Sequence, residues 1–508
     1  MPALTGSNQP VALGAGYSLR APGIVGSAEV RPAGGVGGRA RSAEDGTVAL
    51  ADAMAATGVI EVKQILLQLQ PARPGQGPAT ALRSLSGQDV VEVAVPDLGP
   101  DTGQLILACD ESGVLTWHLP VDEQQSMQTQ AVRGNGGQKR FLIPATPTPA
   151  APAVDAPKRS IVGVLGRKLL KVLIYPVLDP LIGAVSDRFA EAWESRHRPY
   201  GFRTFTPESF RTGVSGAWGA GEWQRVSEKR ALLFVHGTFS TAQDAFNQLS
   251  DSTFAELNRR YEGRLFAFNH FTLSQSPEEN VKWFLQTLPA DQAINVDIVS
   301  HSRGGLVART LIERPSVFGL NTARVTVGRV VFAGVPNAGT LLAHPDHMVK
   351  LLDRITTALN LFPAGIVTEV LESILTAIKV IGHGALKGLK GLACMNPDGD
   401  FLKTLNQGSP KGADYYAIAA DYVPSDAGIK LLVAGTLADA VVDRVFDHTQ
   451  NDLVVPEPGV YQDNGCKTFP IADPTRTLLL PASSGILHTT MFGSPVVQSK
   501  LLEWLTGG

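Results

Sequence analysis

The sequence predicts an α/β protein with a doubly wound, mostly parallel sheet, and three observations carry that expectation. Apolar segments at 231–235, 264–268, 295–299 and 328–333 alternate with helical stretches near 241–260, 277–288 and 303–314. Strands that are apolar throughout, separated by helices, belong to a parallel sheet covered on both faces. The segment Val296-Asp297-Ile298-Val299 runs through Ser300-His301-Ser302-Arg303-Gly304-Gly305 straight into the helical Leu306-Val307-Ala308-Arg309, leaving no room for a loop. After an interruption the rhythm resumes with strands at 415–419 and 477–480 and a closing helix at 496–505.

Composition bounds the rest. At 508 residues, and about 150 residues per domain, the chain should hold two to four domains. With 44% hydrophobic and 18% charged residues it can build ample cores. A net charge of −3 gives no sign of the clustered basic face that nucleic acid requires. Cys109, Cys394 and Cys466 are too few and too scattered for a disulfide framework or a zinc site. No HExxH pattern and no paired ligands at helical spacing occur, so no metal is expected; a cofactor is not expected either. The N-terminus lacks a basic region followed by an apolar one, and no apolar run reaches the ~18 residues of a spanning helix. The expectation is a cytoplasmic protein, with signal-independent export left open.

In chain order, residues 1–46 are rich in Gly, Ala and Arg and read as a loose arm. Residues 47–144 read as a small β-rich domain, because Val90–Val95 partly alternates and 104–109 and 114–119 flank the turn Asp110-Glu111-Ser112-Gly113. Residues 145–157 are a Pro/Ala linker. Residues 158–227 are a connecting segment. Its start sets Lys158, Arg159, Arg167, Lys168 and Lys171 among apolar residues through Ile174, as a basic amphipathic helix would. Such a helix either touches an anionic membrane peripherally through 158–174 or packs on the body of the protein. Residues 228–508 carry the strand–helix rhythm, broken at about 341–393 by an apolar, mainly helical insertion.

The turn at Ser302 is where chemistry is expected. Small neighbours let strand and helix approach closely, and the strained central residue then holds its hydroxyl above the sheet's C-terminal edge. A serine after a strand can also serve only as a helix N-cap, so the surrounding segments matter. Upstream, the apolar strand 231–235 runs into His236-Gly237-Thr238-Phe239; downstream come Asn451-Asp452-Leu453-Val454-Val455-Pro456 and Gly485-Ile486-Leu487-His488.

Together these segments resemble the α/β-hydrolase superfamily, in particular its lipase- and esterase-like serine hydrolases, over roughly residues 228–506. Phe332-Ala333-Gly334-Val335-Pro336-Asn337-Ala338-Gly339-Thr340 and the stretch Met395–Asn406 are similar to lipase segments as well. One position departs from the pattern: the first glycine of Gly-x-Ser-x-Gly is Ser300. The resemblance implies Ser302 as nucleophile, His488 as base and Asp452 as acid, with Asp421, Asp443 and Asp447 as rival acids. It implies backbone N–H groups of Thr238 and Arg303 as the oxyanion hole, and His236, Gly237, Phe239 and His301 as lining residues. His236 is expected to fix the loop rather than move protons. The substrate would be a carboxylic ester, most readily a lipid ester under a lid at 341–393. Acyl transfer or thioester cleavage by the same triad, and a non-catalytic binding or scaffold role on the same frame, are the alternatives. Oligomeric state is open.

Overall fold

The computed structural model describes residues 1–33, 44–71, 90–110, 114–121, 137–145, 167–177, 188–212, 218–340, 343, 348–361, 368–382, 384, 386–409, 412–421, 455, 457–462, 471, 473–481, 484, 486 and 488–506. They form two compact units. The described residues of 1–185 and 352–384 make an N-terminal unit, and those of 186–351, 385–425 and 449–508 a C-terminal unit.

The N-terminal unit is a β-sandwich. Ten strands are β1 (Ala3–Thr5), β2 (Val11–Gly14), β3 (Tyr17–Arg20), β4 (Ile24–Pro32), β5 (Ile60–Pro71), β6 (Val90–Pro96), β7 (Thr102–Asp110), β8 (Leu115–His118), β9 (Gln138–Pro144) and β10 (Arg167–Pro176). They form a six-stranded sheet in the order β1-β4-β5-β10-β7-β8 and a four-stranded sheet β2-β3-β6-β9. Alternate residues of facing strands share one core: Ile65, Leu67 and Leu69 of β5 and Leu170 and Val172 of β10 meet Val91, Val93 and Val95 of β6 and Phe141 and Ile143 of β9. The opposite face of the larger sheet, with Leu105 and Leu107 also buried, takes the helix Thr368–Gly382, which packs on β7 and on the helix Glu44–Ala56.

Three expectations change here. Residues 3–32 form four strands rather than a loose arm, because their glycines serve turns and close approaches. A Cβ on Gly26 would lie 1.9 Å from the carbonyl oxygen of Gln68 on β5. The amphipathic helix expected over 158–174 is, from Arg167 onward, the strand β10, paired on both sides; residues 158–166 lie outside the described residues. Its basic residues are spent locally, Lys171 on Glu61 at 3.0 Å and Lys168 on the carbonyl of Pro144 at 2.6 Å. Leu170, Val172 and Leu173, which would have faced a bilayer, are buried. Finally, Leu352, Leu371, Ile374, Leu375 and Ile378 of the apolar insertion are buried, in residues that belong to the N-terminal unit.

The C-terminal unit has the α/β organisation that the rhythm predicts. Its strands are β11 (Gly201–Thr204), β12 (Ala231–Val235), β13 (Leu265–Asn269), β14 (Ile294–His301), β15 (Val325–Ala333), β16 (Asp414–Ala420) and β17 (Thr477–Leu480). Their order is β11-β13-β12-β14-β15-β16-β17, parallel except for the antiparallel edge strand β11. Every residue of β12 and β13 is buried, as strands covered on both faces require. One face packs Phe234, Phe246, Phe254, Leu257 and Val299 against Val497, Leu501 and Trp504 of the closing helix Pro495–Thr506. Among the described residues, no helix is long and apolar enough to cross a membrane.

Candidate active site

The site begins at the end of β14. Ser302 has φ +51°, the left-handed region that a residue with a Cβ enters only at a cost of roughly 1–3 kcal/mol. Its N–H donates to the carbonyl of Ala333 at 2.9 Å, which ties the turn to the end of β15. The helix Gly304–Ile312 starts at once, and two glycines make that possible. A Cβ on Gly304 would lie 2.4 Å from the carbonyl oxygen of Val235, and one on Gly305 2.3 Å from a methyl of Val335. Ser300, standing where the pattern has glycine, is fully buried and donates its hydroxyl to the carbonyl of Val331 at 3.1 Å. The extra oxygen is thereby satisfied, and the departure costs the turn nothing visible.

The loop after β12 closes on this serine. A Cβ on Gly237 would come within 2.5 Å of the Ser302 Cβ and 3.2 Å of its Oγ, so only glycine fits there. Phe239 is buried with φ +59°. His236 is buried; its Nδ1 donates to the carbonyl of Gly237 at 3.0 Å, and its Nε2 accepts from the N–H of His270 at 3.2 Å. Both ring nitrogens are thus engaged with backbone groups. Thr238 reaches the sulfur of Met395 with its hydroxyl at 4.0 Å. The Arg303 side chain is entirely buried, and its guanidinium donates to the carbonyls of Gly391 (2.7 Å), Phe271 (3.5 Å) and Gln275 and to Asn280 Oδ1 (3.0 Å).

His488 is buried beside the same turn. Its carbonyl accepts from His301 Nε2 at 2.9 Å, and the two rings lie 4.8 Å apart. His301 therefore tethers the histidine segment to the residue before Ser302, a role its position alone did not disclose. Asp452 lies outside the described residues, as do Asp443 and Asp447. Asp421 follows β16 directly, with its N–H donating to the carbonyl of Leu480 at 2.9 Å; its Oδ1 is buried without a hydrogen bond among the described residues. The structure thus gathers Ser302, Gly237, His236, His301 and His488 at the C-terminal edge of the sheet. Among the described residues, no three His, Cys, Asp or Glu side chains are grouped to hold a metal ion.

Sequence reasoning missed His270. It stacks on His236 with centroids 4.3 Å apart, and its own Nδ1 reaches the carbonyl of Phe268 at 3.4 Å. Its place two residues past the apolar segment 264–268 was the signal that could have found it. Burial holds His236 at about 3, and burial followed by the neighbouring His236 holds His270 well below 6.5. Both rings stay neutral in the folded unit, whereas the unfolded chain takes up protons below about 6.5. The stability they contribute is complete above that pH and lost as pH falls through the folded values. Urea midpoints of the wild type should therefore fall steeply between about pH 6.5 and pH 3, and those of His236→Gln less steeply. Equal slopes would show that His236 does not carry the effect.

No curated protein sequence matches the chain. Among solved structures, lipase 1 from Pelosinus fermentans is 15% identical at a TM-score of 0.37, covering 55% of this chain and 99% of that one. The hydrolase olei00960 from Oleispira antarctica is 13% identical at 0.33, covering 63% and 98%. Carboxylesterase CesB from Bacillus subtilis is 13% identical at 0.30, covering 64% and 99%. These scores and identities are low. A family model matches residues 197–506, more than half of the chain. The chain belongs to that family, which is described as a domain of unknown function, DUF7379.

Proposed function

We propose that the C-terminal unit is a serine ester hydrolase working through an acyl-enzyme on Ser302. The observation that carries this reading is the left-handed Ser302 pressed against Gly237, with His488 tethered through His301 one residue away. A serine needs no such strain to cap a helix, but it does to present its hydroxyl at a sheet edge.

In this reading His488 takes the Ser302 proton as Oγ attacks an ester carbonyl, and Asp452 orients the imidazole and stabilises its charged form. The oxyanion forms against the backbone N–H groups of Thr238 and Arg303; the start of a helix leaves such groups without intrahelical acceptors. His488 then protonates the departing alcohol, and a water activated by the same ring releases the acid. The neutral, backbone-bound His236 keeps the Thr238 loop in place. The substrate is a carboxylic ester. Lipid esters are the class we favour within it, on the apolar character of the insertion, although much of that character is spent in packing.

A fluorophosphonate probe followed by peptide mapping tests the reading, with a chain-length series of p-nitrophenyl esters to place the substrate. Labelling at Ser302 is expected, with turnover rising toward longer acyl chains. A wild-type protein that stays unlabelled would sink the proposal; turnover that is flat or falling with chain length would remove the lipid preference alone.

A further inference from the structure

Within the C-terminal unit, Glu194 on the helix Phe189–His197 is only 1% exposed, and its hydrogen-bond partners lie in the segment that follows β13. Oε1 accepts from the backbone N–H groups of Thr272 and Leu273 at 2.5 and 2.9 Å. Oε2 accepts from the N–H of Ser274 at 3.0 Å and from its hydroxyl at 2.6 Å. Donors fill both oxygens, which is what allows a carboxylate to be buried. Three successive amides turned toward one charge also hold the chain from 272 to 274 in a single arrangement.

The opposite side of the same peptides faces the wholly buried Arg303. In a trans peptide the C=O and N–H point in opposite directions. The peptide between Phe271 and Thr272 gives its N–H to Glu194 and its carbonyl to the Arg303 guanidinium, at 3.5 Å. The peptide between Leu273 and Ser274 gives its N–H to Glu194 and its carbonyl to the N–H of Gly391 at 2.8 Å; the Gly391 carbonyl then accepts from Arg303 Nε at 2.7 Å. The relay is close-fitting: a Cβ on Gly391 would lie 2.1 Å from the Thr272 carbonyl oxygen. A buried anion and a buried cation are thus joined through aligned peptide dipoles. The start of the segment reaches the other half of the site, because the N–H of His270 donates to His236 Nε2 at 3.2 Å, and His236 fixes the loop that carries Thr238.

We propose that Glu194 is a positioning residue for the oxyanion hole: it fixes the peptides of 271–274, which hold the Arg303 side chain and the His236 loop, and through them the Arg303 and Thr238 amides. This rests on the ester-hydrolase reading and adds to it a group that never touches substrate. Glutamine has the same shape as glutamate, but one of its two ends is an NH₂ donor. It therefore meets either the Ser274 N–H or those of Thr272 and Leu273 donor to donor, and the segment has to shift. The hole then loses alignment, which slows the step in which charge develops and leaves substrate binding almost untouched. Full-length Glu194→Gln is the test, with Ser302 titrated by a fluorophosphonate so that misfolded molecules are not counted. For p-nitrophenyl butyrate, kcat per titrated site should fall about tenfold or more while KM stays within about twofold of wild type. Ser274→Ala, which removes one donor and keeps the charge, is the milder variant in case the first fails to fold; its kcat per site should fall about two- to threefold. A wild-type kcat per titrated site in either variant, or a loss carried entirely by KM, would overturn the positioning role and leave the hydrolase reading intact. A wild type that does not label at Ser302 would instead remove that reading and this role with it.

Discussion

Ser302→Ala is expected to lower ester turnover by roughly 10⁴- to 10⁶-fold, the size of loss seen when the nucleophile of a serine triad is removed. Ser302→Gly should be as inactive yet more stable than the alanine variant by about 1–2 kcal/mol, because glycine occupies φ +51° without the clash a Cβ brings. The pair of variants separates the two properties of this position. In the proposed mechanism the hydroxyl supplies chemistry and the Cβ only strain, so a serine kept for packing or capping would not give this combination. Turnover is read from p-nitrophenyl ester hydrolysis and stability from urea unfolding. An alanine variant retaining a tenth of wild-type turnover, or a glycine variant no more stable than alanine, would contradict the assignment.

The elbow was legible because its causes are local. An apolar strand, a serine and the small residues Gly304 and Gly305 lie next to one another in sequence, and steric contact with Val235 and Val335 demands them. The strand–helix rhythm of 231–333 was legible for the same reason, each period being complete within a few residues. What stayed hidden depends on partners far away in the chain. The strands between Ala3 and Pro32 look like a glycine-rich arm until β5 and β6 are supplied, with Ser27 opposite Gln68 and Ser18 opposite Ala94. Strand β10 imitates a basic amphipathic helix because Lys168 and Lys171 are three apart, and only its pairing with β5 and β7 reveals it. The insertion reads as apolar and helical, but nothing in its own residues says that Thr357 answers Leu115. The candidate acid was open for a similar reason, since Asp421 follows β16 at the same sheet edge while Asp452 matches the motif.

The largest effect on stability is expected at Arg309, whose guanidinium is wholly buried in the middle of the helix Gly304–Ile312. It grips Glu313 through two parallel bonds of 2.7 and 3.0 Å and reaches Asn337 Oδ1 at 3.3 Å. Glu313 also accepts from the Tyr415 hydroxyl at 3.0 Å, and burial together with that carboxylate drives the phenol's pKa well above its ordinary value. Asn337 in turn donates to the carbonyl of Val460 at 2.6 Å, and the N–H of Ala338 to that of Gly459 at 3.0 Å. One buried network thus ties the helix Gly304–Ile312 to β16 and to the segment Pro458–Tyr461. Arg309→Met leaves the Glu313 charge buried without its partner and should cost about 3–5 kcal/mol, whereas Arg309→Met/Glu313→Leu removes both charges and should recover much of that loss. Urea unfolding of the four proteins in the cycle measures the coupling. A single variant costing under about 1 kcal/mol would mean that the pair is not what holds the helix. If the network also carries the acid loop, the double variant will regain stability without regaining full turnover, since apolar side chains cannot replace the hydrogen bond that Arg309 gives Asn337.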